Sequence, residues 1–423
     1  MNTWIRGMGR MLPWLLGGWM LSSPAGAVDI RLAHDLDPDR QEALSHLVSR
    51  FNASRPGDRV VLETVRDLKA QDEPPNLALF DEDDKPDSLV GRRLLPLHQV
   101  MQEAGRKVDL AGFHKVLLEA GGDAKGRLVS LPMAYAYPTL FYNRDAFRKA
   151  GLDPEQPPRT WWEMQQAAAA LAAAGYACPY ASSRPVWLHL VNLSSQHNAP
   201  FAVQSRQGQS LVFNGFVQVK HIARLSSWVK SRYLHLFGPG DQADDRFVTG
   251  DCAMITAGSA LQNRLTAQAA FDFAAADLPH YDDVVDATPA NVLPGGRALW
   301  AFAGHGKGEV RLAAEFVAFL LRPEVQREWV EQTGFLPLST AGQGLPLTAL
   351  DRALQSRLKA RSQVGPTLAT AAALRSNHSF QQVWRITNQE LQDVWADRKP
   401  AKAALDQAVE QGNQALALPP LAR

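Results

Sequence analysis

The sequence predicts an α/β protein of two lobes that close on a ligand cleft, and three observations carry that expectation. Strand-like and helix-like segments alternate from residue 28 to residue 321. The chain has 423 residues, well above the ~250–300 that one hydrophobic core accommodates. No internal repeat and no long tether is visible, so several short crossings rather than one linker should join the lobes.

Residues 1–27, MNTWIRGMGRMLPWLLGGWMLSSPAGA, carry Arg6 and Arg10, then an apolar stretch, then the small-x-small run Ala25-Gly26-Ala27. That is the pattern of a cleavable signal peptide, with cleavage after Ala27. The apolar stretch is shorter than the ~20 residues a membrane span needs, so the mature chain is expected to be exported and soluble. The only cysteines are Cys178 and Cys252, neither at the cleavage site to take a lipid anchor, which points to a Gram-negative periplasm. In that oxidising compartment the two are expected to form a disulfide. Losing Arg6 and Arg10 from 44 basic residues leaves a slight excess of the 43 acidic ones, so nucleic acid is not an expected partner.

VDIRLAHD (28–35) reads as a strand, and RQEALSHLVSRFNASRPG as a helix with Ala43, Leu44, Leu47, Val48 and Phe51 on one face. RVVLETV resumes as a strand, giving a βαβ opening. NLALF and the following Asp81 form another buried strand, with DEDDKPD as a solvated loop. LVSLPMAYAYPTLFYNRDAF (128–147) is strand-like and rich in aromatics. Thr160 and Glu163 form a Thr-x-x-Glu capping box, so a helix starts at Trp161, after an approach held extended by Pro157 and Pro158. Met164, Ala168 and Leu171 put Trp161 on the inward stripe, whereas Trp162 points about 100° away. FVTGDCAMITAGSALQNRL (247–265) and GGRALWAFAGHGKGEVRLAAEFVAFLL (295–321) each read as strand, turn and helix, and the chain from Pro323 onward is mainly helical.

Chemistry is sparse. Gly304-His305-Gly306-Lys307-Gly308 lies between a strand and a helix but lacks the Lys-Ser or Lys-Thr pair of a phosphate loop, so it reads as a surface turn. The 11 histidines form no zinc-like spacing, and Ser259 has no base or acid at a motif spacing. No catalytic residue, metal or cofactor is expected, and the reading is of a binding protein rather than an enzyme. What remains is aromatic: Tyr135, Tyr137, Trp161, Trp162, Trp187, Phe335 and Trp384 fall at turns and strand ends, where flat faces can stack on sugar rings or hold cations.

YPTLFYNRDAFRKAGLDPEQPPRTW, GDCAMITAGSA, PGGRALW, FVAFLLRPEVQREWVEQTGFLPLS and QELQDVWADRKPAKAALDQAVEQGNQAL together resemble the family 1 extracellular solute-binding proteins of ABC importers. The resemblance implies a type II, maltose-binding-protein-like fold. The division it implies is a signal peptide (1–27), a first part of the N-terminal lobe (28–136), a first part of the C-terminal lobe (137–296), a return segment of the N-terminal lobe (297–325) and a helical remainder of the C-terminal lobe (326–423). It also implies a monomer that hands a small solute to permease subunits driven by a cytoplasmic ATPase. By resemblance the solute is sn-glycerol-3-phosphate or a glycerophosphodiester.

Residue by residue, Trp161 matches the family's stacking tryptophan, Gly296 a glycine whose backbone meets the ligand, and Asp81 a glutamate that holds hydroxyls. Ala136 and Gly258 stand where the family has serine, with Ser259 adjacent. Phe335 replaces a tyrosine, and Trp384 stands at a phosphate-binding arginine, beside Arg385 and near Arg375. These exchanges trade hydrogen-bond donors for aromatic surface, which suits a sugar, a polyol or a choline-bearing headgroup. The alternatives from other classes are a binding protein reporting to a membrane sensor and a periplasmic hydrolase.

Overall fold

The computed structural model describes residues 27–417 apart from 66–67, 69–71, 82–88, 90–91, 109, 111, 124, 206–207, 285–291 and 340–379. The expected signal peptide up to Gly26, most of the acidic loop after Asp81, and Arg375 lie outside the described residues.

Two sheets form the centres of two lobes. In the first, β1 (Asp29–His34) lies parallel to β2 (Arg59–Thr64) and to β3 (Leu77–Asp81). It is completed by β4 (Leu94–Leu95), β5 (Leu131–Ala136) and the late strand β13 (Gly295–Phe302), which runs antiparallel to β3, β4 and β5. β3 is buried along its whole length, as its unbroken apolar run requires. The helix Pro38–Ala53 starts at Asp37, whose side chain accepts from Arg40 N, and buries Ala43, Leu44, Leu47, Val48 and Phe51 as its spacing predicts.

The second sheet has the order β10 (Leu234–His235), β7 (Tyr180–Ser182), β11 (Met254–Gly258), β6 (Pro138–Asn143), β12 (Phe273–Asp277). A separate hairpin joins β8 (Ala202–Ser205) to β9 (Gly208–Leu211). The aromatic run 128–147 is thus two strands in different sheets, with Tyr137 alone between them. The chain returns to the first sheet at Gly295.

The helix Pro323–Thr333 stays with the first lobe, where Trp329 Nε1 donates to Met133 O at 2.8 Å and Leu336 N to Tyr135 O at 2.8 Å. The expected change of lobe at residue 326 therefore comes too early, because that helix buries Val325 and Trp329. The helices Phe380–Trp395 and Ala401–Ala417 pack together on the second lobe, where Asn413 bonds both backbone groups of Leu211. Among the described residues no helix is long and apolar enough to cross a membrane.

The capping box forms as read: Thr160 Oγ1 accepts from Glu163 N at 3.1 Å while Glu163 accepts from Thr160 N, and the helix runs Trp161–Ala173. Trp162 is 41% exposed, with the Arg224 guanidinium 3.4 Å over its ring and Tyr281 edge-on at 6.5 Å. It covers the helix Phe216–Lys230 rather than facing a cleft. Cys178 and Cys252 are bonded, joining the segments that lead into β7 and β11.

Two stability predictions follow from these contacts. Trp162→Ala should cost about 0.5–1 kcal/mol, the scale of an exposed cation–π contact, read as a fall in melting temperature. Replacing both cysteines by serine should cost about 2–4 kcal/mol in denaturant unfolding, since the bridge closes a long loop. An unchanged midpoint in either case would contradict the packing described.

A charged cleft between the lobes as the candidate functional site

The lobes meet over a narrow cleft whose enclosed volume is only about 20 Å³. The first lobe supplies Ala134, Ala136, Gly295, Gly296 and Arg297 from its sheet, with Arg40 and Phe335 beside them. The second supplies Arg184, Asp241, Asp244, Gly258 and Ala260.

Two glycines leave room for close packing, Gly296 within the first sheet and Gly295 against the second lobe. At Gly296 φ is +151°, and an added Cβ would lie 2.0 Å from Ala134 O. At Gly295 a Cβ would lie 2.6 Å from Trp187 Nε1. No side chain fits either position.

Buried guanidinium groups cross the cleft. Arg184, from the second lobe, sets Nε 2.9 Å from Asp81 Oδ2 and donates Nη2 to Oδ1 at 3.0 Å, with both side chains nearly inaccessible. Its ring-side face lies 4.5 Å from the Trp187 centroid. The Arg184 backbone is left-handed, at φ 47°, a conformation that costs a residue bearing a Cβ about 1–2 kcal/mol. The surrounding contacts hold it there: Arg184 N donates to Gly240 O at 2.9 Å.

Arg297 reaches the other way, donating Nε to Asp35 at 2.7 Å in its own lobe and Nη1 to Asp241 at 3.0 Å in the other. Arg40 pairs with Asp37 at 2.9 Å and lies 4.7 Å over the Phe335 ring.

These pairings set the charge states. Burial works against the Arg297 charge, but Asp35, Asp241 and Asp81 hold it well above its usual range. Burial pushes the Asp35 carboxyl up, with Arg297 pulling it back. Burial also acts to raise Asp241, yet the cations Arg297, Arg184 and Arg40 outweigh it and hold Asp241 low. Asp244 is pushed up to about 7 by burial and then by the Asp241 charge.

Of the residues expected to bind ligand, Ala136, Gly258, Gly296 and Phe335 line this cleft. Asp81 and Trp187 stand behind it, holding Arg184 from two sides. Trp187 also donates Nε1 to Leu293 O at 3.1 Å. Tyr135 is buried in β5 opposite Gly296, and its carbonyl accepts from Leu336. Ser259 Oγ accepts from Tyr137 N at 3.1 Å, so that hydroxyl braces the crossing between lobes.

Trp161, Trp384 and Arg385 do not line the cleft. Trp161 is fully buried in the second lobe, with ring centroids of His221, His189 and Trp228 at 4.7, 5.5 and 6.4 Å. The inward stripe carries it into the core, which corrects the expectation that it also shows a face to the cleft. Trp384 is buried against Phe201, with ring centroids 5.9 Å apart, because its helix packs on the second lobe's outer helices. Arg385, the next residue, is exposed.

Around Trp161 runs a buried polar chain. Tyr281 Oη, His221, His189 and Ser182 Oγ are linked at 3.0, 3.1 and 2.9 Å, and Ser182 is bonded to Thr256 at 2.9 Å. Burial lowers His189 to about 3 and His221 well below its usual value, so both are neutral.

Sequence reasoning missed Arg40, Arg184, Arg297, Asp35, Asp241 and Asp244. One signal was present: Arg297 is the only charge in the apolar strand GGRALWAF. The aspartates of GPGDQADD read as an ordinary solvated run.

The family described as bacterial extracellular solute-binding protein matches residues 63–344. The sn-glycerol-3-phosphate-binding periplasmic protein UgpB of Escherichia coli K12 is 33% identical over 425 aligned positions, covering 95% of each chain. That of Salmonella paratyphi A is 34% identical over 402 positions, covering 90% of this chain and 91% of its own.

Two solved structures share the fold. A chitin oligosaccharide binding protein superposes with a TM-score of 0.71 at 19% identity, covering 93% of this chain and all of its own. UgpB from Mycobacterium tuberculosis, in complex with glycerophosphocholine, superposes at 0.68 with 20% identity, covering 93% of this chain and 99% of its own. The two-lobed architecture, the cleft and these likenesses agree, and the chain belongs to the bacterial extracellular solute-binding protein family.

Proposed function

We propose that this protein is the periplasmic substrate-binding component of an ABC importer. It captures a small polar solute between its lobes and delivers it to permease subunits served by a cytoplasmic ATPase. The observation that carries the reading is the cleft itself: buried charges from both lobes face one cavity, with a single residue, Tyr137, as one of the connections. Relatives named for sn-glycerol-3-phosphate and a neighbour bound to glycerophosphocholine support a glycerophosphate-type solute.

The structure alters the weight given to aromatic stacking. The Trp187 and Phe335 faces are covered by the Arg184 and Arg40 guanidinium groups. A solute entering the cleft meets arginines before it meets rings.

Hinge closure supplies the mechanism. A solute that touches both lobes favours the closed arrangement by its differential affinity for it, and the closed arrangement is the one the permease would read. Arg184 and Asp81 contribute to that arrangement without a solute. Export is part of the same reading, with the mature chain beginning at Val28.

Three outcomes test it. In a thermal-shift screen of phosphodiesters, sugars and polyols, a true solute at 100 times its Kd should add about 2.7 kcal/mol to folded stability. If no small solute raises the transition, the reading is wrong. N-terminal sequencing of periplasmic material should return Val28, and an intact Met1 would remove the export step. Arg184→Ala removes the buried guanidinium that bridges to Asp81 from the second lobe, so it should destabilise the closed form by about 3–5 kcal/mol, seen as a larger radius of gyration in solution scattering. An unchanged radius would show that the pair does not hold the lobes.

A further inference from the structure

Asp244 differs from the other carboxylates in and around the cleft. Asp35, Asp37, Asp81 and Asp241 each pair with an arginine. Asp244 is 5% exposed, lines the cleft, and has no ion-pair partner among the described residues. The cations around it are engaged elsewhere: Arg297 of β13 with Asp35 and Asp241, Arg184 with Asp81, Arg40 of the helix Pro38–Ala53 with Asp37, and Arg264 of the helix Leu261–Gln268 with Asp245. Its nearest acidic neighbour in sequence that faces the cleft, Asp241, carries a charge that opposes its own.

One Asp244 oxygen is fixed. Oδ1 accepts from Ser183 Oγ at 2.5 Å, and Ser183 N donates to Thr256 O at 3.0 Å, so the carboxyl is anchored to β11. Oδ2 makes no hydrogen bond within the described chain. From the opposite lobe, Arg40 also lines the cleft, is 6% exposed, and leaves its buried Nε without an acceptor. A buried donor without an acceptor is costly, so Arg40 Nε calls for an acceptor in the cavity that the unbonded Asp244 Oδ2 faces from the other lobe.

We propose that Asp244 acts in solute binding as a neutral carboxyl, donating from Oδ2 to an anionic oxygen of the solute, and so selects for solutes that carry one. The class is a phosphodiester or carboxylate, whose remaining oxygens meet Arg40 and its neighbouring guanidinium groups. The inference rests on the solute-binding reading above and adds a selecting residue and a charge requirement to it. Burial and the Asp241 charge set the Asp244 carboxyl at about 7, so the donor is present below that pH and is lost as pH rises through it.

Calorimetry with glycerophosphocholine tests the role, because a phosphodiester does not itself titrate near neutrality. Wild-type affinity should fall about tenfold between pH 6 and pH 8, the change expected when one group of pKa near 7 must be protonated. Asp244→Asn keeps a donor and should retain acid-pH affinity within a few fold while losing the pH dependence. Asp244→Ala should bind weakly at both. A wild-type affinity that is flat or rises with pH, or an Asp244→Asn variant with the wild-type slope, would overturn the donor role and leave the solute-binding reading intact.

Carbon NMR of aspartate-labelled, solute-free protein reads the proton directly. A carboxyl titrating near neutrality and absent from Asp244→Asn is expected, and full ionisation of every aspartate by pH 6 would overturn the proposal. Failure of glycerophosphocholine and every other solute of the screen to bind would overturn both the donor role and the reading beneath it.

Discussion

A buried guanidinium can stay charged only if carboxylates meet it, and the meeting of the two lobes is arranged around that requirement. Removing one partner of such a pair costs several kcal/mol because the other charge is left desolvated. Arg184 meets Asp81, and Arg297 meets Asp35 and Asp241, so both cations draw on carboxylates of the first lobe while Arg297 also reaches into the second. The left-handed backbone of Arg184, the cover of the Trp187 ring and the two side-chain-free positions at Gly295 and Gly296 follow as the local conditions for these contacts.

Behind the cleft, each lobe is stiffened by different means. The first relies on a sheet whose buried residues are mostly apolar and on helices laid against it. The second carries a chain of polar groups through its core, from Tyr281 through His221 and His189 to Ser182, with Ser183 adjacent and bonded to Asp244. Both histidines are neutral, so the chain costs no buried charge and still fixes hydroxyl positions. The disulfide and the Tyr180–Thr256 hydrogen bond tie β7 to β11 on the same side. A rigid second lobe can therefore present Arg184, Asp241 and Asp244 in fixed places.

The elements of this fold were largely legible because their signals are local. The capping box at Thr160, the apolar face of the helix Pro38–Ala53 and the strand ending at Asp81 all depend on spacing within one segment. The change of sheet at Tyr137 cannot be read from the unbroken aromatic strand pattern, in which nothing says that the halves pair with different partners; only the family resemblance placed a lobe boundary after residue 136. Trp161 shows a different limit. Its helical phase identified it as inward, but inward meant the core of one lobe, not the cleft between two. The cleft's ion pairs were hidden for a third reason: Arg184–Asp81 and Arg297–Asp35 join residues 103 and 262 positions apart, and no local spacing links the partners.

The central claim is that a solute binds between the lobes among these charges. A crystal structure grown with the solute that gives the largest thermal shift tests it most directly. The account predicts solute density enclosed by Arg40, Arg297 and Phe335 on one side and Arg184 and Asp244 on the other. Density at any other surface, with the cleft closed and solute absent from it at saturating concentration, would contradict it.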